Sequence, residues 1–402
     1  MDVAITGIET GLVIIPVINP IIAADMKLGH YIIMSPILMV LTGCFGHSAN
    51  TGQEDNIDTL QADFNSESPS YTNYFDRVET IPLETNDSSL IATASKILVV
   101  DDRIVVLDFK SSTVKQFHRD GSYVGSIGNK GQGPEEYIIV YDISYNKDKK
   151  YLSLLSPYGE IVNYTLDNKF VDRVELPAKP NYWVAEWISG DRMVTWSGME
   201  ADEPGISLMD PYSGTEFMTD WYNCFEFDFL STTPFSSYNG RLYFDGPFTN
   251  DVYEITADSL KLSYRWDFGK DNISDSYRES LRNIDDRQIR DERVKSEIGG
   301  NDHKYNFENN WQTDKYYIAL MLVSPYPDIR YKTAVYSKEN KSGVCFSKFK
   351  EGMTFKPVYV NDEYVLCQIP ETELDIYNGI TDSKLVYNED DNIVLAKYYF
   401  KK

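Results

Sequence analysis

The chain has 402 residues and a formal net charge of −24, and 14% of its residues are aromatic, with 30 tyrosines among them. A body this acidic repels nucleic acid phosphates and anionic lipid surfaces, which argues against both as partners. The four cysteines lack the paired spacing of a disulfide framework or a zinc site, and the tyrosine content favours β-strands.

The N-terminus contains two segments of different character. Residues 1–25 carry prolines inside an apolar stretch and no Lys or Arg, and we interpret them as a non-native upstream extension. Residues 26–43 have the order of a secretory signal peptide, a short basic start and then an apolar run. The tetrapeptide Leu41–Cys44 resembles the lipobox of bacterial lipoproteins, which implies cleavage before Cys44 and lipid attachment to its thiol. A plain transmembrane anchor is the alternative.

Residues 44–70 are polar and acidic and have no hydrophobic periodicity. Such composition predicts a flexible tether between the anchor and a folded body. Several acyl chains on one cysteine hold a protein stably on a bilayer. We therefore expect a lipid-anchored protein of the outer membrane, on its periplasmic or its cell-surface face.

One unit of short strands recurs over residues 71–402. Its clearest copy lies between Lys96 and Tyr137, where Asp120 and Gly121 form a strong hairpin-turn signal. Each copy starts with a turn, a charged residue and an apolar run, and such starts occur at Arg103, Lys150, Arg192, Arg241, Lys315 and Glu363. A period of about 40–50 residues with four strands per unit predicts an all-β, six-bladed β-propeller.

The last copy lacks a fourth strand. The N-terminal segment Phe75–Leu83 can supply that strand beside the C-terminal strand Asn392–Phe400. Pairing of this kind would leave no open sheet edge. We therefore predict a ring closed by an N-terminal strand and a single domain.

The longer interval between two repeat starts contains a helical insertion over residues 272–298. Ser276 and Glu279 can form a capping box, and Gly299 follows as a stop signal. We predict one amphipathic helix, broken near Asp291, that shields a blade edge. A lid over the central channel is the alternative.

Three stretches of the chain resemble six-bladed β-propeller lipoproteins of gut-dwelling Gram-negative bacteria, which are distant relatives of NHL-repeat proteins: FDRVETIPLETNDSSLIATASKI, VKQFHRDGSYVGSIGNKGQGPEEY and DDNIVLAKYYFK. The resemblance covers residues 44–402, is strongest over 75–137 and blurs in the third and fifth units. It implies the propeller fold and an envelope location. It transfers no catalytic residue.

Trp183, Trp187 and Trp196 cluster in the third unit close to Glu186. Exposed aromatic rings beside carboxylates suit stacking against sugars, so these three tryptophans are candidate ligand contacts. Packing between blades is the alternative. The glycine-rich run 128–134 is not a phosphate loop, because acidic residues and a strand follow where a helix N-terminus is needed.

Few residues can carry chemistry. Beyond the tether, His118 and His303 are the only histidines, which disfavours multi-histidine metal sites. We expect Cys224, Cys345 and Cys367 to be buried apolar residues, although a bridge between the last two stays open. No cofactor is predicted, with Ca²⁺ held by channel carboxylates as the alternative.

Together these features favour a lipid-anchored envelope protein that binds a ligand or assembles with other proteins without catalysis, with glycan uptake as one version of this role. One alternative is a channel-centred hydrolase or lyase that acts on a glycan or a lactone, with or without Ca²⁺. Another is a structural subunit of a surface transport complex.

Overall fold

The structure is a computed structural model, and it describes residues 57–177, 182–197, 205–220, 233–246, 249–284, 286–300, 304–324, 328–381, 384–388 and 390–402. The predictions on the signal peptide, on Cys44 as the lipid attachment site, and on Cys224 and His303 lie outside these residues.

Two strands precede the first repeat, β1 (Asp58–Asp63) and β2 (Phe75–Pro82), with a 3-10 turn at Tyr71–Asn73 between them. The prediction of a flexible tether up to residue 70 is therefore wrong for its last part. Leu60 and Phe64 are buried in a core cluster, and this burial holds the segment on the body.

Three four-stranded antiparallel sheets follow, each in simple chain order. The first contains β3 (Ala94–Val100), β4 (Arg103–Asp108), β5 (Thr113–His118) and β6 (Tyr123–Ile127). The second contains β7 (Asp142–Asn146), β8 (Tyr151–Leu155), β9 (Glu160–Tyr164) and β10 (Phe170–Glu175). The third contains β11 (Tyr182–Ser189), β12 (Arg192–Ser197), β13 (Gly205–Asp210) and β14 (Thr215–Asp220).

The next two groups of four strands share one sheet. The first group contains β15 (Phe235–Tyr238), β16 (Arg241–Phe244), β17 (Asp251–Ile255) and β18 (Leu260–Asp267). Two helices follow, α1 (Asp275–Arg282) and α2 (Arg287–Glu297). The second group contains β19 (Asn306–Gln312), β20 (Tyr316–Ser324), β21 (Arg330–Ser337) and β22 (Ser342–Phe346). Strand β1 pairs in parallel with both β18 and β22, so that nine strands are joined.

The last sheet combines both ends of the described chain. It contains β23 (Pro357–Val360), β24 (Tyr364–Gln368) and, after helix α3 (Leu374–Ile380), β25 (Val394–Phe400). Strand β2 lies at its edge and pairs antiparallel with β25, with Val78 opposite Tyr398 and Ile81 opposite Leu395. An N-terminal strand thus completes a sheet of C-terminal strands.

The first strands of the sheets lie next to one another. Strand β3 lies beside β7 and β23, β11 beside β7, and β15 beside β19. Apolar side chains fill the spaces between successive sheets; one cluster, for example, packs Val105 and Leu107 against Ile143 and Leu154. Small antiparallel sheets packed face to face around a set of inner strands form a β-propeller.

The helical insertion differs in detail from the prediction. Ser274, and not Ser276, caps α1, since its side chain accepts a hydrogen bond from the Tyr277 N–H. The break lies before Arg287 and not near Asp291, because the Asp286 carboxylate caps α2 through the Ile289 N–H. Tyr277, Leu281, Val294 and Ile298 are buried against Trp266 and Phe268, so the helices pack onto the sheet that contains β18.

Candidate binding face

Antiparallel pairing gives each sheet two different ends. The first strand begins at the end where the second strand stops and the third begins. We call this end the loop face; in the sheets that begin with β23, β3 and β7 it carries the connections 83–93, 109–112, 128–141, 156–159 and 369–393. Tight turns such as Asp101–Asp102 lie at the opposite end, the turn face.

Three charged side chains from three neighbouring inner strands meet below the loop face. The Lys96 amine of β3 donates to Asp142 Oδ1 of β7 at 2.8 Å and to Glu186 Oε1 of β11 at 2.6 Å. The Ala185 N–H donates to the second oxygen of Asp142 at 3.0 Å. The side chains of Lys96, Asp142 and Glu186 are 13%, 5% and 20% exposed, respectively, so the cluster is largely withdrawn from water.

Burial and charge shift the pKa values of this cluster in known directions. Burial alone would lower the pKa of Lys96, but the two carboxylates outweigh it and raise this pKa above its usual value. Burial raises the pKa of Asp142, and the Lys96 charge opposes the shift only in part. Burial likewise raises the pKa of Glu186, where the charge of Asp142 adds to the effect. The Lys96 amine is thus the shared ion-pair partner of Asp142 and Glu186.

A row of aromatic rings crosses three sheets at the loop face. Phe109 lies 5.3 Å from Tyr141, and Tyr141 lies 5.3 Å from Trp183, measured between ring centroids. Phe109 is 38% exposed, and the other two rings are half-buried. The Trp183 indole N–H is buried and has no partner in the structure. Tyr141 precedes Asp142 directly, so the row borders the charged cluster and offers apolar ring surface beside it.

The three predicted tryptophans take different positions. Trp183 belongs to the aromatic row. Trp187 donates its indole N–H to Ser153 Oγ at 2.8 Å and packs on Tyr151. Trp196 is 2% exposed and lies against Phe244 with 5.5 Å between the ring centroids, so it packs between sheets. Strand β12 is buried on both faces, since every residue from Met193 to Ser197 is buried.

Sequence reasoning missed Lys96 and Asp142. They are 46 residues apart, and no local motif joins them. A signal did exist, since Lys96, Asp142 and Glu186 follow one another at about the repeat interval, on the first strand of three consecutive units. The blades of a propeller surround a common axis, so charged residues on the first strands of neighbouring units can meet.

The remaining residues that the sequence analysis singled out lie outside the charged cluster and the aromatic row. His118 is an exposed strand residue near the turn face, with Nδ1 3.0 Å from the Arg103 guanidinium. The run 128–134 connects β6 to β7, and Gly128 has a φ of 68° there. Cys345 and Cys367 are buried and free of a bridge. Within the described part of the chain, no group of three or more His, Cys, Asp or Glu side chains could hold a metal ion.

The described helices are all too short or too polar to span a membrane.

A family model described as "Domain of unknown function (DUF4934)" matches residues 55–399. The chain belongs to the DUF4934 family. No curated protein matches this DUF4934 chain. The matched range begins just before β1, so the family domain includes the strand that the tether prediction overlooked.

Two solved structures share the fold of the DUF4934 chain. One is a protein of Bacteroides fragilis NCTC 9343 that is described as exported, with a TM-score of 0.65 and 16% identity over 86% of this chain and 100% of its own. The other is a member of the DUF4221 family from Bacteroides vulgatus ATCC 8482, with a TM-score of 0.52 and 10% identity over 81% of this chain and 97% of its own. At these identities the likeness concerns the fold alone.

Proposed function

We propose that this DUF4934 chain is a lipid-anchored protein of the cell envelope and that its propeller is a non-catalytic binding or assembly module. The lipobox-like tetrapeptide Leu41–Cys44 supports the anchor. The B. fragilis protein of the same fold is described as exported, which supports an envelope location. The chain thus resembles the propeller lipoproteins of gut bacteria in its leader as well as in its repeat.

The proposed propeller has six blades. Each run of four antiparallel strands counts as one blade, and the nine-stranded sheet contributes two of them. Strand β2 supplies the outer strand of the sixth blade through its pairing with β25. With β2 in place the last sheet has four strands, and the edge of β25 is covered and cannot pair with other chains.

The aromatic row at the loop face carries the proposed binding function. Phe109, Tyr141 and Trp183 come from three different sheets, and they keep ring surface exposed at the position where the inner strands begin. Half-exposed aromatic rings give a ligand a large apolar contact at a low entropy cost. The Lys96 cluster below the row is internally paired, which favours a supporting role over acid–base chemistry.

A detergent phase partition tests the anchor. The protein from a Gram-negative host should enter the detergent phase and incorporate labelled palmitate, and Cys44→Ala should lose both properties because the acylated thiol is gone. Wild-type protein in the aqueous phase would overturn the anchor.

A calorimetric titration with Ca²⁺ tests the non-catalytic assignment. We expect no binding in the micromolar range. Micromolar binding that Glu186→Gln abolishes would favour the channel-centred hydrolase or lyase instead. The variant removes one carboxylate charge and preserves the shape of the side chain.

A further inference from the structure

Exposed apolar side chains concentrate on one part of the loop face. Among the described residues, twelve large apolar side chains are exposed, and five of them lie on the connections that define this part of the face. We call these five the apolar arc: Leu90, Phe109, Ile138, Tyr158 and Val386. Val386 is 90% exposed and Tyr158 is 82% exposed, so neither side chain packs in the core of the protein.

The apolar arc follows the order of the sheets around the propeller. Val386 lies between β24 and β25, Leu90 between β2 and β3, and Phe109 between β4 and β5. Ile138 and Tyr158 continue the series, before β7 and between β8 and β9. The five side chains therefore cover three consecutive sheets, and Phe109 joins them to the aromatic row.

The turn face carries few exposed apolar side chains among the described residues. Of the same twelve exposed side chains in the described residues, only Tyr212 lies on a turn of that face, and the Lys149 amine covers its ring at 4.0 Å. Scattered apolar residues are normal on a surface, but a grouping at one end marks an interaction site. The asymmetry points to the loop face as the surface that meets another molecule.

Charges around the arc restrict the kind of partner. In the described residues of the five connections, six carboxylates and three lysines are exposed: Glu84, Asp87, Glu135, Glu371, Asp375 and Asp390, against Lys110, Lys130 and Lys384. The connections that carry the arc are therefore acidic overall, like the chain as a whole. Electrostatic complementarity calls for a basic margin on the partner.

We infer that the apolar arc docks a protein whose contact surface is apolar at its centre and basic at its margin. This inference rests on the proposed binding function and names its partner class. Three of the five arc side chains, Leu90, Ile138 and Val386, are aliphatic. Aliphatic side chains make no stacking platform for sugars, and they pack well against apolar side chains of a protein. Their spread over three sheets also suits a protein interface, which commonly buries about 800 Å² on each partner.

Other occupants fit the arc less well. A second copy of the chain would bring the same strongly negative net charge and the same acidic connections. The chain between Cys44 and β1 is polar, so it offers no apolar side to cover the arc. It also enters at β1, which lies between the outer strands β18 and β22 and not among the sheets of the arc.

Site-specific photocrosslinking in the producing cells tests the inference. A photoreactive phenylalanine analogue replaces Val386 or Tyr158 in the full chain, and matched controls carry it at Val171 or Phe217. The controls are exposed apolar residues on the outer strands β10 and β14. We expect one discrete protein adduct from the arc positions, with a yield at least about tenfold higher than from the controls. The reason is that only the arc positions would lie at the centre of the proposed interface.

The adduct is then identified, and the purified partner is titrated with the purified chain. We expect Ile138→Glu to weaken binding by at least about tenfold, Val171→Glu to leave it unchanged, and added salt to weaken it. An adduct with a second copy of the chain, an adduct with a glycan, equal adducts from both sets of positions or no adduct would each overturn the inference. Phase partition of the same cells reports on the anchor independently, so failure of the proposed envelope role is seen separately.

Discussion

The side chain of Ala62 lies against Gly343 so closely that a Cβ at position 343 would come within 2.8 Å of the Ala62 Cβ. Real Cβ atoms do not approach one another to this distance without a shift of the backbone. Strand β1 therefore reaches β22 because position 343 has no side chain. The glycine makes room for an added strand, a use of glycine that is independent of any unusual φ.

Replacing Gly343 with valine should displace β1. We expect Gly343→Val to lower the free energy of unfolding by about 1–3 kcal/mol, the usual cost of overpacking. Urea denaturation followed by tryptophan fluorescence measures the change. Gly379→Ala is a matched control on helix α3, where nothing lies within 4 Å of the added Cβ. That control should be neutral or slightly stabilising, and an equal loss in both variants would contradict the role of Gly343.

Truncation from the N-terminus should lower stability in two steps. A chain that begins at Pro69 lacks β1 and the buried side chains of Leu60 and Phe64, each worth about 1.5–3 kcal/mol. A chain that begins at Asp87 also lacks β2 with Phe75. We expect the melting temperature to fall from a chain that begins at Ile57 to the Pro69 chain, and the Asp87 chain to aggregate.

The two steps report on different strands. Equal melting temperatures for the Ile57 and Pro69 chains would show that β1 adds nothing to the body. Equal melting temperatures for the Pro69 and Asp87 chains would show that β2 does not close the last sheet, and the count of six blades would need to change. The original tether interpretation predicts no difference at the first step.

The sequence predicted β2 and missed β1 for a physical reason. Strand β2 buries Phe75, Val78 and Ile81, which stand out against their neighbours. Strand β1 buries only Leu60 and Ala62 among acidic and polar residues, and its partners lie about 200 to 280 positions further along the chain. A strand defined by distant parallel partners leaves almost no local pattern.

The site was less predictable than the fold. The repeat period gives the strands, and it places Trp183 near a sheet end. The period does not tell which side of a strand faces a neighbouring sheet, and a β-bulge in β11 shifts that alternation between Tyr182 and Val184. The contact of Lys96 with Glu186 depends on the packing of separate sheets, which no stretch of sequence encodes.

Removing the amine of Lys96 should leave two buried carboxyl groups without a counter-charge. We expect Lys96→Met to cost about 3–5 kcal/mol at neutral pH, the range for breaking a buried ion pair. Chemical denaturation measures it. Lys110→Met is the control because Lys110 is exposed on the loop face. Adding Glu186→Gln to Lys96→Met should recover part of the loss, and no recovery would contradict the coupling of Lys96 with Glu186.

The loss of stability caused by Lys96→Met should depend on pH in a defined direction. The folded-state pKa values of Asp142 and Glu186 are raised. Their contribution to stability is therefore complete below the unfolded pKa values, about 4, and is lost as the pH rises through the folded values. Loss of Lys96 raises these values further, so the cost of Lys96→Met should grow from pH 4 towards neutrality. Denaturation curves of both proteins across this pH range measure the cost of the substitution. A cost that stays constant with pH would contradict the prediction.

The thiols of Cys345 and Cys367 should be unreactive in the native protein. Both are buried, and burial raises the pKa of each thiol, which leaves little thiolate. Alkylation followed by peptide mass spectrometry should label neither cysteine without denaturant and both with it. Rapid labelling of either thiol in the native state would contradict their burial.

The pairing of β2 with β25 sets the order in which the protein can finish folding. Phe75 and Phe400 are opposite partners in the pairing of β2 with β25. Strand β2, near the start of the described chain, therefore stays without this partner until β25, near its end, is available. Strand β1 likewise waits for β22. Contacts of such sequence separation form slowly. Until β25 (Val394–Phe400) has paired with it, β2 exposes a free edge, and the chain needs protection from aggregation during that time.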